Sequence, residues 1–112
     1  MKNLALPKAR LLTKNWEYEK VYRQGKRLRA KEFSLILAAS GQRENRLGIS
    51  VHGVKGAVRR NRIKRVVREF FRLHRQDLPA AVDIVFAARK GFQPKSPQDV
   101  RTAVAGLLGR GR

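Results

Sequence analysis

The stretch 57–75 constrains the fold more than any other part of the chain, because its apolar and charged residues separate onto two sides of one helix. At about 100° per residue, one side carries an apolar stripe that consists of Ile63, Val66, Val67, Phe70 and His74, with Phe71 at its edge. The opposite side carries Asn61, Lys64, Arg65, Arg68, Arg72 and Arg75. We therefore expect one side of this helix to be buried against a core while the other faces outward.

The outward side of this helix carries almost a single sign of charge. Its only acid is Glu69, four residues after Arg65, with which it can form an ion pair. Like charges three or four residues apart repel by roughly a few tenths of a kcal/mol per pair, so an ordinary solvated face mixes its signs. A face with so little compensation instead favours an external anion, and a spaced polyanion such as a phosphate backbone fits best.

The overall composition also favours a polyanionic partner. The 112 residues include 27 Lys and Arg against 8 Asp and Glu, a formal charge of +19, which indicates nucleic acid and, less strongly, an anionic membrane. The chain has no cysteine, which excludes disulfides, thiolate metal sites and cysteine nucleophiles. It has no apolar run long enough to span a membrane and no recognisable signal peptide, so we expect a cytoplasmic protein with no membrane partner.

Elements of both kinds flank the central helix and predict a single α+β domain over 1–112. Before the helix we expect a basic arm over 1–12, a helix from Thr13 or Asn15 to Gln24, and strands over 33–39 and 46–51. After it we expect a strand over 82–88, a last helix from Ser96-Pro97, and a flexible tail over 109–112. The first two strands should form an antiparallel hairpin. The strands at 46–51 and 82–88 should lie parallel, in a small mixed sheet covered by about three helices as an α/β sandwich.

The acidic and histidine residues form no catalytic pattern. Glu17 and Glu19 diverge on the first helix, and no other pair of acids resembles a general acid and base. His74 lies on the apolar stripe, which favours a core role. His52 follows a strand, where it could contact phosphate or belong only to a loop. We therefore expect no catalytic residue in the protein and no metal site.

Aromatic residues accompany the basic ones. Nineteen of the 27 basic residues lie in 1–31 and 55–75, and Trp16, Tyr18, Tyr22 and Phe33 lie within or beside the first of these stretches. Cations beside aromatic rings suit single-stranded nucleic acid, because the bases stack and the phosphates pair. The alternative for Tyr18 and Tyr22 is burial in the core, and their helical spacing permits both interpretations.

The run Arg60-Asn61-Arg62-Ile63-Lys64-Arg65 resembles the signature helix of the protein subunit of bacterial ribonuclease P. Four further blocks are similar to that family in the same order: 18–25, 33–36, 47–51 and 83–91. The resemblance covers roughly residues 10–108. The chain departs from the family pattern at 52–56, where the turn is shorter and has a single lysine, at Trp16, where a polar residue is usual, and at Ile36, where some relatives have a tyrosine.

The resemblance implies a fold and a function. The fold is an α+β sandwich with a left-handed crossover through the Arg-Asn-Arg helix, an exception to the usual hand. The function is that of a ribonuclease P subunit. In that enzyme a catalytic RNA removes the 5′ leader of precursor tRNA with magnesium that is held mainly by RNA, while the protein alone binds no cofactor, takes no small-molecule substrate and supplies no catalytic residue.

The resemblance also implies two sets of contact residues. Those that contact the catalytic RNA would be Arg59, Arg60, Asn61, Arg62, Lys64, Arg65, Arg68 and Arg72. Those that contact the single-stranded leader of precursor tRNA would be Tyr18, Tyr22, Phe33, Lys14 and Lys90.

Two other classes of function remain open on composition alone. A structural RNA-binding protein, such as a ribosomal protein, would have the same charge but no preference for a 5′-extended tRNA precursor. A DNA-binding protein would place the basic helix in a major groove, but the Gly53 to Gly56 turn follows a strand and supplies no helix-turn-helix partner.

Overall fold

The computed structural model describes residues 10–110, which form three α-helices and four strands. In chain order these are α1 (Asn15–Gln24), β1 (Lys26–Arg29), β2 (Phe33–Ala39), β3 (Arg46–His52), α2 (Ala57–His74), β4 (Val82–Arg89) and α3 (Pro97–Arg110), with a 3-10 turn at Arg75–Asp77 after α2. The predicted α+β class and number of helices are confirmed. None of these helices combines the length and apolar character that crossing a membrane requires.

The four strands form one mixed sheet in the order β1-β2-β4-β3. β2 pairs antiparallel with β1 and with β4, whereas β3 pairs parallel with β4. The parallel pairing of 46–51 with 82–88 is therefore confirmed, with a connection through α2 whose hand stays a prediction. The predicted hairpin between 33–39 and 46–51 is wrong, because β4 lies between these two strands.

The strand order follows from burial. Residues 83–88 of β4 are all buried, and so are the first four residues of β2. Strands that are apolar on both faces are stable at the centre of a sheet, where neighbours cover them on both sides. The edges are taken by β3 and by β1, a short strand of sequence KRLR in which only Leu28 is partly buried. We did not predict β1, since its composition is that of a basic loop.

Helices cover both faces of the sheet. α2 and α3 pack on the face that carries Phe33, Leu35, Leu47, Ile84 and Phe86, and together they form the main core. α1 packs on the other face, where Val21 contacts a smaller cluster that includes Leu12, Ile36, Ala38, Val85 and Ala87. Leu11 and Leu12 follow the outer edge of β3, where Leu11 pairs with Leu47 and the Leu12 N–H donates to the Leu47 carbonyl at 2.8 Å.

The predicted terminal segments begin or end at different residues than expected. Leu12 is a core residue at 4% exposure, and Arg10 is buried with its Nε donating to the carbonyl of Asn45 at 2.8 Å. The predicted arm over 1–12 is thus wrong from Arg10 onward, and its residues 1–9 lie outside the described residues. Gly109 and Arg110 continue α3, so the tail predicted from Gly109 is wrong for these two, and 111–112 are not described.

Gly25 joins α1 to β1 where two parts of the backbone meet. Its φ of −84° needs no glycine, but a Cβ there would lie 2.5 Å from the carbonyl oxygen of Val21 and 2.7 Å from Cγ2 of Ile36.

Gly25→Ala should therefore destabilise the fold by about 1–3 kcal/mol in urea unfolding, the cost of overpacking. Gly106→Ala is the control, because it lies in α3 with no atom within 4 Å of its added Cβ. It should stabilise the protein by about 0.5–1 kcal/mol. Equal effects of the two changes would contradict the close approach at Gly25.

Candidate nucleic-acid interface

α2 buries the apolar stripe that its sequence predicts, with two shifts. Ile63, Val67 and Phe70 are buried as expected, and Phe71, predicted at the edge, is fully buried. His74 is only partly buried, with its ring centroid 6.0 Å from that of Phe70. The centre of the stripe is therefore rotated towards Phe71, which follows from the contact of α2 with both the sheet and α3.

The eight α2 residues predicted to contact RNA do not form one flat face. Asn61 and Arg65 project outward and are exposed, and Arg72 lies on the same side but is partly buried. Arg59 and Arg62 lie on the flank that faces the loop after β4, while Lys64 and Arg68 lie on the flank that faces α1. Arg60 points back to the preceding loop and donates to the carbonyl of Val54 at 3.2 Å. The cations thus surround the whole exposed part of the helix.

Acidic residues neutralise few of these cations. Within 10–110 there are five ion pairs, and four of them hold residues away from α2: Arg10–Glu44, Arg46–Glu17, Arg46–Asp83 and Arg101–Asp77. The fifth joins Glu69 to Arg72, so the predicted pairing of Glu69 with Arg65 is wrong. The guanidinium of Arg72 hydrogen-bonds the Glu69 carboxyl and lowers its pKa. The positive charge on the rest of α2 is therefore left for an external anion.

A shallow groove runs between α1 and α2, and we call it the α1–α2 groove. Tyr18 forms one wall and Lys64 and Arg68 form the other, over a floor of Leu12, Leu47 and Ile49. The hydroxyl of Tyr18 accepts a hydrogen bond from the Ile49 N–H at 3.1 Å, and burial raises its pKa, so it keeps its proton at neutral pH. Gly48 allows this packing, because a Cβ there would lie 2.8 Å from the Tyr18 ring.

The predicted leader contacts on α1 occupy an intermediate position between core and surface. Tyr18 and Tyr22 are both partly buried against the smaller apolar cluster. The Tyr22 hydroxyl is 2.9 Å from Oγ of Ser50, and Arg27 lies over its ring at 5.6 Å. Trp16, in contrast, is 62% exposed, and Lys14 is exposed at the start of α1. Each ring is therefore packed in part against the core and exposed in part, and its contact with RNA stays a prediction.

Phe33 cannot serve as a leader contact, so that prediction is wrong. It is 4% exposed and lies on the opposite face of the sheet, stacked on Phe86 with 4.8 Å between ring centroids. Side chains alternate along a strand, so α1 covers Ser34 and Ile36 of β2, while Phe33 and Leu35 face α2 and α3. Sequence reasoning missed three residues here. Thr13 lines the α1–α2 groove, while Ser50 and Arg27 contact Tyr22. None of them has a local sequence signal for this position.

A second concave surface lies beyond the carboxyl ends of β3 and β4, and we call it the basic pocket. Its volume is about 580 Å³. Five of its lining residues are cations: Lys55, Arg59, Arg62, Lys90 and Lys95. Val54, Ile63, Phe92 and Pro94 supply an apolar wall. It brings Lys90, predicted to contact the leader, together with Arg59 and Arg62, predicted to contact the catalytic RNA. Sequence reasoning noted Lys55 only as the single lysine of the 52–56 turn, and it did not single out Lys95.

The acids of the described residues are not arranged to hold a metal ion. No three His, Asp or Glu side chains among 10–110 lie close enough together to form such a site. Hard divalent cations prefer several oxygen ligands, and the one acid on α2 is already bound to Arg72. Both concave surfaces are lined by cations instead, so their chemistry is that of anion binding.

Comparison with known proteins gives a consistent result. A family model described as Ribonuclease P matches residues 6–111. The ribonuclease P protein component of Desulfotalea psychrophila is 51% identical over 110 residues, which cover 97% of this chain and 92% of that protein. The ribonuclease P protein component of Clostridium botulinum (strain Loch Maree / Type A3) is 36% identical over 99 residues, which cover 87% of this chain and 89% of that protein.

Solved structures agree with this similarity. The RNase P protein from Thermotoga maritima is similar in fold with a TM-score of 0.73 at 32% identity, over 94% of each chain. The Staphylococcus aureus RNase P protein has a TM-score of 0.77 at 27% identity, over 92% of this chain and 95% of that one. The α+β fold with its crossover helix is thus shared with two solved proteins.

Proposed function

The chain belongs to the ribonuclease P protein family, whose members are components of an endoribonuclease, and from this premise we propose a division of its surface between two RNAs. The exposed side of α2 binds the catalytic RNA subunit. The α1–α2 groove binds the single-stranded 5′ leader of precursor tRNA. The protein thereby assists removal of the leader, which yields the mature 5′ end of the tRNA, and it does so in the cytoplasm.

The observation that carries this proposal is the uncompensated charge of α2. Asn61, Arg62 and Arg65 are exposed, and within the described part of the chain no ion pair neutralises the two arginines. Their spacing along a rigid helix suits successive phosphates of an RNA backbone, where each guanidinium makes a charge-assisted hydrogen bond. Arg72 is already held by Glu69, so it contributes mainly to the positive potential.

We propose that the chemistry of cleavage belongs to the RNA subunit and to magnesium held mainly by it. The described residues do not fit a protein-held magnesium site, because their acids are dispersed and mostly bound to arginines. The role of the protein is then to bind and orient the two RNAs. Its cations do this by lowering the repulsion between the two RNAs.

The α1–α2 groove suits a single strand better than a duplex. Its walls place an aromatic ring, Tyr18, opposite two cations, Lys64 and Arg68, so that a base and its phosphates can be bound side by side. Tyr22 extends the aromatic surface along α1, and Lys14 adds charge near its start. Phe33 is not part of this proposal, since it is buried on the other face.

Replacement of Tyr18 tests the leader site. Tyr18→Leu keeps apolar bulk under the groove but removes the ring, so we expect binding of leader-bearing precursor to weaken by about 1–3 kcal/mol, the contribution of one stacked base. Binding of mature tRNA should not change. Tyr18→Phe is the matched control, because it keeps the ring and loses only the hydrogen bonds of the hydroxyl, which accepts from the Ile49 N–H and donates towards the carbonyls of Leu12 and Ile49. Equal weakening for precursor and mature tRNA would contradict a leader contact at this residue.

The function as a whole is tested by a cleavage assay. The protein is mixed with a bacterial ribonuclease P RNA and 5′-labelled precursor tRNA at low magnesium. We expect cleavage at the mature 5′ end that depends on added protein. Binding of RNA with no change in cleavage across several catalytic RNAs would instead indicate a structural RNA-binding protein.

A further inference from the structure

We propose that the basic pocket is a binding site for one nucleotide unit, with the phosphate held by its cations and the base against its apolar wall. This inference rests on the proposed function, since the nucleotide would come from one of the two RNAs. It is a separate surface from the α1–α2 groove, because β3 and α2 stand between them and the lining residues of the two do not overlap.

The position of the pocket follows from the sheet topology. β3 and β4 are parallel neighbours joined through α2, so the loops after both strands emerge at the same edge of the sheet. Crevices beyond the carboxyl ends of parallel strands are where open α/β sheets bind ligands. Here the loop after β3 supplies Val54 and Lys55, the loop after β4 supplies 90–95, and the first turns of α2 close the third side. Gly53, at φ 74°, and Gly91, at φ 101°, make the turns that shape it.

The charge of the pocket requires an anion. Five cations line it, and no acid does. Two acids lie beside the loop after β4: the Asp99 carboxylate accepts the Lys95 backbone N–H at 2.8 Å, and a carboxylate oxygen of Glu32 lies 3.5 Å from where a Cβ of Gly91 would stand. Five like charges around one concavity repel each other unless an anion separates them. One phosphate group supplies the charge and the several acceptor oxygens that such a ring of donors needs.

The size and the apolar wall argue for more than a phosphate. A volume of about 580 Å³ lies within the range of about 300–1,000 Å³ typical of small-molecule sites, whereas the α1–α2 groove measures about 220 Å³. Ile63 and Phe92 are each only 6% exposed, so the apolar surface left open to a ligand is that of the partly buried Val54 and the exposed edges of these two side chains. The Phe92 ring packs against both Phe33 and Phe86, at 5.4 and 5.3 Å between centroids, so its position is fixed by the core before any ligand arrives. A nucleobase would cover this surface.

Titration of the free protein tests the chemistry of the site. Adenosine 5′-monophosphate, adenosine and inorganic phosphate are each added, and the methyl NMR signals of Val54 and Ile63 are followed. We expect the monophosphate to bind about tenfold or more tighter than adenosine or inorganic phosphate alone, because a stacked base adds affinity of this order. Lys55→Ala with Lys95→Ala should weaken it about tenfold or more, as the loss of two charged partners predicts. Binding of phosphate as tightly as the monophosphate would overturn the base site.

Matched changes of charge control this titration. Arg23→Ala with Arg43→Ala also removes two exposed cations, but one lies on α1 and the other in the loop before β3. That loop is at the opposite end of β3 from the pocket, about 20 Å away for a strand of this length. The control variant should bind the monophosphate as the wild type does. If it loses as much affinity as the pocket variant, the effect is one of net charge, and the pocket is not a specific site.

A crosslinking experiment identifies the RNA that supplies the nucleotide. The chain has no cysteine, so Gln93→Cys offers one thiol at the pocket rim for a photoreactive group, and Arg43→Cys is the control. In the assembled enzyme, crosslinks from Gln93→Cys to the leader or to the catalytic RNA would each support the site and would identify the RNA that supplies the bound nucleotide. An absence of crosslinks to both, while the labelled protein still promotes precursor cleavage, would overturn the pocket and leave the proposed function standing.

Discussion

Arg46→Ala should destabilise the protein by about 3–5 kcal/mol, the usual loss when one partner of a buried ion pair is removed. Arg46 begins β3 and donates to both carboxylate oxygens of Asp83, from Nε and Nη2, at 2.8 Å each. Its Nη1 donates to Glu17 at 3.1 Å. The side chains of Asp83 and Glu17 are only 6% and 10% exposed. The variant would leave both carboxylates buried without a cation.

The pH dependence distinguishes loss of these ion pairs from loss of packing. Burial alone would raise the pKa of Glu17, but the backbone N–H groups of Lys14 and Thr13, together with Arg46, outweigh it and lower that pKa. A carboxyl with a lowered pKa stabilises the fold above its ordinary value of 4.5, and this contribution disappears as the pH falls through the lowered value. The difference between wild type and Arg46→Ala should therefore narrow in acid.

Urea unfolding at neutral pH and at about pH 3, below the ordinary carboxyl pKa, measures both effects. Arg101→Ala is the matched control, since its ion pair with Asp77 is 45% and 46% exposed and should contribute less than about 1 kcal/mol. If Arg46→Ala costs the same at both pH values, its contribution is packing of the side-chain stem rather than charge.

The elements that could be predicted from the sequence are those with a local signal. The apolar period of 57–75 identifies a helix from its own residues. The apolar runs at 33–39 and 82–88 are likewise long enough to be recognised as strands without knowing which strands they pair with. The parallel pairing of β3 with β4 also follows locally, from the length of the helix that joins them.

Strand order and the faces of the strands could not be predicted in the same way. The hairpin between 33–39 and 46–51 was the simplest connection, but it would have left one edge of β4 unpaired although 83–88 are buried. The face of Phe33 depends on which side of the sheet α1 covers, and no residue near Phe33 carries that information. The error over Phe33 as a leader contact is thus a consequence of sheet topology.

The candidate site was predictable only where its residues share one helix. The cations of α2 belong to one helix, so their presence on its outward side follows from spacing. Their division between two flanks does not, because it depends on the loop after β4 and on α1. The grouping of Lys55 and Lys95 with Arg59 needs three segments brought together by the β3-α2-β4 crossover. The acids likewise pair over 24 to 37 positions in sequence in four of the five ion pairs.

Arg62→Ala combined with Arg65→Ala should weaken binding of the catalytic RNA by about 100- to 10,000-fold. This range follows from about 1.5–3 kcal/mol for each charge-assisted hydrogen bond and tenfold for each 1.4 kcal/mol. Both side chains are exposed on α2, and neither forms an ion pair with an acid among residues 10–110. Alanine is the best helix former, so circular dichroism and the urea midpoint should stay near those of the wild type.

The salt dependence decides whether the lost contacts were to phosphates. Each phosphate contact contributes about 0.7–0.9 to the slope of log affinity against log salt, so the double variant should have a slope smaller by roughly 1.4–1.8. Arg43→Ala with Arg101→Ala also removes two of the 27 basic residues, but neither residue belongs to α2, so this variant should change neither the slope nor the affinity appreciably. A weakened affinity with an unchanged slope would mean that Arg62 and Arg65 contact bases or sugars. An unchanged affinity would mean that the outward side of α2 is not where the catalytic RNA binds, and the positive charge of this helix would then need another partner.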